Sequence, residues 1–225
     1  MHGRLLSWVI VLATGAAAAA AVASASVADK EQIHLTTAGQ AAARAAGLRK
    51  ADLGTAPGWT GGAKKPDLSS TPDCPGFRPK QSDLVVNGAA ETVFKHPGIE
   101  FDSEAQVLET AHMVSLDWQR TVVAPQVLPC LRAAATRSAG TSARVVSIRR
   151  TSFPRVATYT NAIRILLDVK SSASTTPLRL FVDLVLVGRG RTEITLTTTA
   201  PLVASSAVRA AELRLARLLA SRVRA

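Results

Sequence analysis

Glu100, Asp102 and Glu104 alternate along one short stretch, and in a β-strand that spacing turns all three carboxylates to one face. Such a row of oxygens can hold Ca2+, a hard cation that takes oxygen ligands. More often it marks a solvated strand edge, where charge discourages pairing with another chain. The edge reading is preferred, and no metal is expected. His34, His96 and His112 lie in a polar leader, beside Pro97 in a turn, and at a helix start. All three read as surface residues, and none has the acid or thiol companions of a nucleophilic triad. Gly-x-Ser-x-Gly is absent, and Gly58 to Gly62 lacks the spacing and the Lys-Ser/Thr ending of a phosphate loop. Gly188-Arg189-Gly190-Arg191 looks like an RNA-binding tract but is explained as a hairpin turn. No catalytic residue, no cofactor and no specific nucleic acid is therefore assigned, and the chain reads as a non-enzyme.

The remaining reactive pair is Cys74 and Cys130, the chain's only cysteines. Their chemistry depends on compartment. Arg4 precedes an apolar run from Leu5 to Val22, and Ala23-Ser24-Ala25 and Ser26-Val27-Ala28 both fit a secretory cleavage pattern. Residues 1–28 are read as a signal peptide, cut near residue 25 or 28. The run is long enough to span a membrane, but its alanine content makes it too weakly apolar for an anchor. No later segment is apolar enough to span. In an exported chain an isolated cysteine pair is most simply a disulfide, and the localisation expected is extracytoplasmic.

Charge is distributed unevenly. Ser26 to Ser142 carries twelve basic and twelve acidic residues, whereas Ala143 to Ala225 carries fourteen basic and four acidic, for a net +11 over the chain. Arginine dominates the second half. A one-sided basic field favours polyanions, and Arg164, Arg179, Arg209, Arg214 and Arg217 are the candidate face for an anionic envelope polymer. A coding bias toward arginine explains the surplus equally well.

These groups must be positioned by secondary structure, and the clearest lies from Ala157 to Thr199. Three runs there alternate apolar and polar residues with period two, separated by Ser171-Ser172-Ala173-Ser174 and Gly188-Arg189-Gly190. The pattern predicts an antiparallel meander. Leu180, Val182, Leu184 and Leu186 are expected to form its inner face, packed on Leu215 and Leu219 of a C-terminal helix starting near Ser206, capped by Ser205 or Ser206. Upstream, Thr37 can cap a helix ending near Gly47, and Asn87-Gly88 predicts a tight turn between Leu84–Val86 and Glu91–Phe94. Ile99 to Leu108 reads as a strand running into a helix to Val122. Pro125 opens another helix that Gly140 closes, and Arg144 to Arg150 reads as a strand. Thr60 to Lys80 reads as loop, yet Trp59, Cys74 and Phe77 are anchors rather than linker residues. The organisation is a signal peptide, a polar leader over residues 29–36, and one α+β domain over 37–225 with a disulfide-pinned loop at 54–82.

The order of motifs is distinctive: Ala51-Asp52-Leu53, Gly58-Trp59, Asp73-Cys74-Pro75-Gly76-Phe77, a strand–helix passage to Trp118, Pro129-Cys130-Leu131, a four-strand run and a final helix. It resembles secreted actinobacterial proteins related to the extracellular sensor domains of mycobacterial serine/threonine kinases and to the LpqN-type lipoproteins. The resemblance implies a Mog1/PsbP-like fold, an antiparallel sheet packed against N-terminal, middle and C-terminal helices. It also implies a ligand cleft, though no residue of that cleft carries over by position. Two functions are in view. One is an envelope binding module holding an apolar or amphipathic ligand between sheet and helix. The other is an interaction protein whose arginine face meets an anionic polymer or a partner protein.

Overall fold

Period-two alternation dominates the folded chain. The computed structural model describes residues 29–68, 74, 76–171 and 174–223, so the signal segment read over residues 1–28 lies outside the described residues. Eight strands form one sheet: β1 (Gln32–Ile33), β2 (Thr60–Lys64), β3 (Val85–His96), β4 (Ile99–Leu108), β5 (Ala143–Arg150), β6 (Tyr159–Ser171), β7 (Ser174–Arg189) and β8 (Thr192–Pro201). Their order is β1-β3-β4-β8-β7-β6-β5, with β2 also on β3. Only β1 on β3 is parallel; the other pairings are antiparallel. Four α-helices, α1 (Thr37–Ala46), α2 (Ala111–Asp117), α3 (Val127–Ala139) and α4 (Ser205–Arg222), complete an α+β architecture. The meander is as the sequence predicts, and β4 and β8 join it to the N-terminal hairpin.

The sheet is covered on both faces, which corrects the expected packing. Residues directly opposite in an antiparallel pair share a face. Phe181, Val185 and Val187 of β7 therefore lie with Leu196 and Ile194 of β8 on the side that α1 and α4 cover. Val185, Val187 and Leu196 share one core with Leu215 and Leu219. Val182, Leu184 and Leu186 point the other way, into a second core with Ile163, Ile165, Val127 and Leu131. The even-numbered run was expected on α4 and lies instead under α3. Alternation identifies two faces but not which helix covers each, and Phe181, Val185 and Val187 show that β7 is apolar on both.

Two glycines explain a second difference. The Asn87-Gly88 turn expected from the sequence is not formed; β3 runs straight through it, with a register shift between Val86 and Gly88. The hairpin turns at Pro97-Gly98, where Gly98 has φ +82°. Gly88 is needed for space instead: a Cβ there would stand 2.1 Å from the Gly39 carbonyl oxygen, and one on Gly39 would stand 2.2 Å from that of Asn87. Helix α1 thus rests on β3 backbone to backbone. Thr36, one residue before the predicted cap, accepts from the Gly39 N–H at 3.0 Å and starts this helix. Within the stretch read as loop, Thr60–Lys64 pairs with β3 as β2. Lys50–Leu53 forms a 3-10 turn ahead of it. The leader likewise joins the sheet as β1. Neither Ser205 nor Ser206 caps α4, which begins without a side-chain cap.

Beneath α4 lies a buried ionic network. Arg164 grips Asp183 with two hydrogen bonds of 2.7 and 2.6 Å, and its guanidinium lies 4.5 Å from the Phe181 ring. Glu212, fully buried on the apolar stripe of α4, meets Arg209 at 3.5 Å, and neither of its oxygens has a hydrogen bond among the described residues. Burial, aided by the Asp183 charge, pushes Glu212 up to about 7. Burial likewise lifts Glu31 and Asp102 to about 7. Asp83 and Asp168 are held down to about 2, chiefly by hydrogen bonds from Arg120 and Arg179. A carboxyl raised by folding stabilises fully below its unfolded pKa and loses that stability as pH rises through its folded value; a lowered one loses its stability as pH falls through its own. Thermal stability should accordingly peak near about pH 4–5 and decline toward pH 8. The rising positive charge at low pH opposes this, but salt at 0.15 M screens exposed charges beyond about 8 Å. A melting series from pH 3 to 8.5 checks it, and stability climbing steadily to pH 8 would contradict it.

Candidate functional site

The α3 face of the sheet changes character across its width. On β6 and β7 it is apolar, but toward β8 and β4 it carries Thr195, Glu193, Glu104 and Gln106. The registers Leu186↔Thr195, Thr195↔Glu104 and Glu193↔Gln106 put these side chains on one surface. Helix α2, capped by the Thr110 hydroxyl accepting from Met113 N–H at 3.2 Å, widens into a π-helical segment over Trp118–Val123. Wide turns of this kind recur at functional sites. Pro125 ends that segment, since the residue before proline is driven out of the helical region, and α3 restarts at Val127. The result is a wall of Trp118, Thr121, Val122, Val127 and Leu131 standing over the polar part of the sheet.

A third wall comes from the loop before β3. Cys74 and Cys130 form the expected disulfide, with Cα atoms 5.2 Å apart. The bond ties the loop to α3, and Phe77 packs into the α3 core. Leu68, Phe77, Pro79 and Gln81 line the near side. Asp29 accepts from the Gln81 and Ser82 N–H groups at 3.1 Å each, which fixes the leader against this loop and brings Glu31 to the rim. Together the walls enclose a cavity of about 440 Å3.

Its electrostatics are one-sided. Glu31, Asp67, Glu104, Asp117 and Glu193 line it, and no lysine, arginine or histidine does so among the described residues. Asp117 is held by Gln81 Nε2 at 3.1 Å and by the Thr121 hydroxyl at 3.1 Å. Burial drives Glu193 well above the ordinary carboxylate range, and the charge of Asp117 adds to that. Glu193 Oε1 is sealed from solvent with no N–H donor, and the Asp117 carboxyl stands at hydrogen-bond distance from the Glu193 carboxyl. Glu104 is raised by burial despite the Gln106 amide donating to it at 3.3 Å. Glu31 is pushed up by burial and by its neighbours Asp117 and Glu104.

The residues singled out in the sequence fall in several places. Glu100, Asp102 and Glu104 do share one face, but β4 lies between β3 and β8 and is not the expected solvated edge. Lys95 meets Glu100 at 2.9 Å, and Lys64 meets Glu91 at 2.6 Å. Among the described residues no group of three His, Cys, Asp or Glu is placed to hold a metal. His34 and His112 are exposed, while His96 packs its ring 5.2 Å from that of Trp59. The five arginines do not present one free face. Arg164 is committed to Asp183 and Arg179 to Asp168 at 2.7 Å. Arg209 stacks on Phe153 at 4.4 Å and donates to the Ser152 carbonyl. Arg214 donates to the Asp52 carbonyl at 2.7 Å, and it and Arg217 are exposed. Glu31, Asp117 and Glu193 were not singled out. Glu193 stands among the threonines of β8, and its only signal in the sequence is a large acid at the start of a threonine-rich strand.

No family model matches the chain, and no curated protein sequence matches it. Among solved structures it is similar to a putative uncharacterized protein from Mycobacterium smegmatis, the Rv0999 ortholog. The match has 14% identity and a TM-score of 0.43, and covers 82% of this chain and 97% of that one.

Proposed function

We propose that this chain is a secreted cell-envelope binding module of the sensor-domain kind, built on a Mog1/PsbP-like fold, that holds an apolar or amphipathic ligand between sheet and helix without transforming it. One observation carries the reading: the 440 Å3 cavity between β4, β7 and β8 on one side and the π-segment and α3 on the other. Ligand sites are concave and combine apolar walls with placed polar groups, and this one sets an apolar wall against an acidic one. Export fits the Cys74–Cys130 disulfide, and among the described residues no helix is long and apolar enough to cross a membrane. Because most of the candidate arginines have partners within the fold, the cavity offers firmer support than an arginine surface for an anionic polymer.

The neutral dye N-phenyl-1-naphthylamine tests the proposal. It should bind saturably, one per chain, with a rise in fluorescence, and Leu131→Trp should abolish the signal by filling the cavity while the melting temperature shows the fold intact. Absence of saturable binding, or unchanged binding to a folded Leu131→Trp, would overturn the reading.

A further inference from the structure

We propose that the ligand of this cavity carries a positively charged nitrogen on an apolar body, so that the site selects organic cations. The inference rests on the binding function proposed above and specifies its chemistry. Five of the chain's sixteen acids line one cavity, in a protein whose net charge of +11 gives a field that repels cations at long range. Carboxylates gathered behind apolar walls repel one another and lose hydration, and neither cost serves the fold. Glu193 Oε1 adds an independent sign. It is sealed from solvent and lies in the cavity lining, and the group at hydrogen-bond distance from this carboxyl is another acid, Asp117, so that only a proton held between the two can satisfy it, whereas buried polar atoms are nearly always paired. An ammonium N–H supplies the missing donor in a charge-assisted bond, which is about twice as strong as a neutral one.

The cavity's other features narrow the class. A bare metal ion finds no set of three ligands among the described residues, and Trp118, Val122, Val127 and Leu131 give a naked ion nothing to use. An alkyl or aryl body fills that wall, and the ammonium group meets the opposite one. Five segments around the site each contribute an acid, Glu31 from the leader, Asp67 from the loop, Glu104 from β4, Asp117 from α2 and Glu193 from β8, while β7, the π-segment and α3 contribute none. The cation that acts on Glu104 is Lys64, which is paired with Glu91 at 2.6 Å. Burial lifts Glu31 to about 7 and raises Glu104 and Glu193, so an incoming cation competes with protons and binds more tightly as pH rises.

Displacement of N-phenyl-1-naphthylamine from the mature protein by octylammonium, 1-octanol and octanoate decides the question, since the three share one chain and differ in charge. Octylammonium should displace the dye at least about tenfold more tightly than octanol, as expected for one charge-assisted hydrogen bond, and octanoate should be weakest. Its advantage should grow from pH 5.5 to pH 8 and shrink about tenfold in Glu193→Gln, with octanol unaffected by either change. If the dye binds but octanol matches octylammonium, or if octanoate leads, the cation proposal is wrong and the binding function survives. If the dye does not bind at all, both fall together.

Discussion

Truncating Leu215 to alanine should lower the free energy of unfolding by about 2–5 kcal/mol, the usual cost of removing a fully buried leucine side chain. Leu215 is 0% exposed and shares a core with Val185, Val187, Leu196 and Leu219. Its core neighbours Val185, Leu196 and Leu219 are themselves 0% exposed, so the upper part of the range is expected. Leu184→Ala should cost clearly less, because Leu184 is only half-buried on the opposite face of β7, under α3. The sequence pattern alone sets the two in one core, with Leu184 on the inner face packed on Leu215. Urea denaturation of the two variants side by side gives a direct comparison. Equal costs, or a larger one for Leu184→Ala, would mean that the strand faces are inverted. With domains typically stable by about 5–15 kcal/mol, the Leu215 variant should remain folded at room temperature and be measurable.

The same pair shows what a single sequence can and cannot convey here. Period-two alternation located β6, β7 and β8 with little error because each strand is long and its turns are rich in serine or glycine. It does not reveal that β7 is buried on both sides, since Phe181, Val185 and Val187 sit on the phase opposite Leu184. Gly88 misled for a different reason. Asn-Gly is a turn dipeptide when the glycine is needed for its dihedral angles, but this glycine is needed because the Gly39 carbonyl of α1 passes where a Cβ would be. Local sequence carries no trace of a contact 49 positions away. Thr60–Lys64 was hidden by its glycines: Gly61 has φ +112° and faces the Val93 carbonyl, where a side chain would collide.

The cavity was less legible than the fold for a related reason. Its acids come from five separate segments, Glu31 through Glu193, and long-range contacts bring them together, among them the sheet register Glu193↔Gln106, the leader pairing Gln32↔Val85 and the Gln81 hydrogen bond to Asp117. Glu104 was noticed, but as one of a row along its own strand. The disulfide was readable because an export signal and an isolated cysteine pair constrain each other without any knowledge of geometry. The arginine surplus was readable as a count, yet the count hid its use: Asp168 and Asp183, two of the four acids in the second half, each hold an arginine at 2.7 Å or closer. Much of the apparent basic face consists of counter-ions for carboxylates that the sheet has buried.

Removing the disulfide should bring the other large loss. Cys74 and Cys130 close a loop of 56 residues, and the chain-entropy estimate for a loop of that length is roughly 4 kcal/mol. The Cys74→Ser, Cys130→Ser double variant should therefore melt well below the wild type, and reducing agent should reproduce the shift. The bond also has a local task. It is the covalent link between the loop that carries Phe77, Pro79 and Gln81 and the helix that carries Cys130 and Leu131, two walls of the one cavity. Gln81 in turn donates to Asp117 at 3.1 Å. Without the tether the loop's order depends on Phe77 packing and a few hydrogen bonds, and opening it becomes cheap relative to global unfolding. Dye binding should consequently fall at temperatures where circular dichroism still reports a folded sheet, and trypsin should cut first after Lys80, since Pro66 and Pro79 protect the bonds after Lys65 and Arg78. If binding and melting decline strictly together, the disulfide stabilises the fold as a whole and has no separate hold on the cavity. If binding survives in the folded double variant, the loop is not a wall of the site, and the ligand must rest on β8, the π-segment and α3 alone.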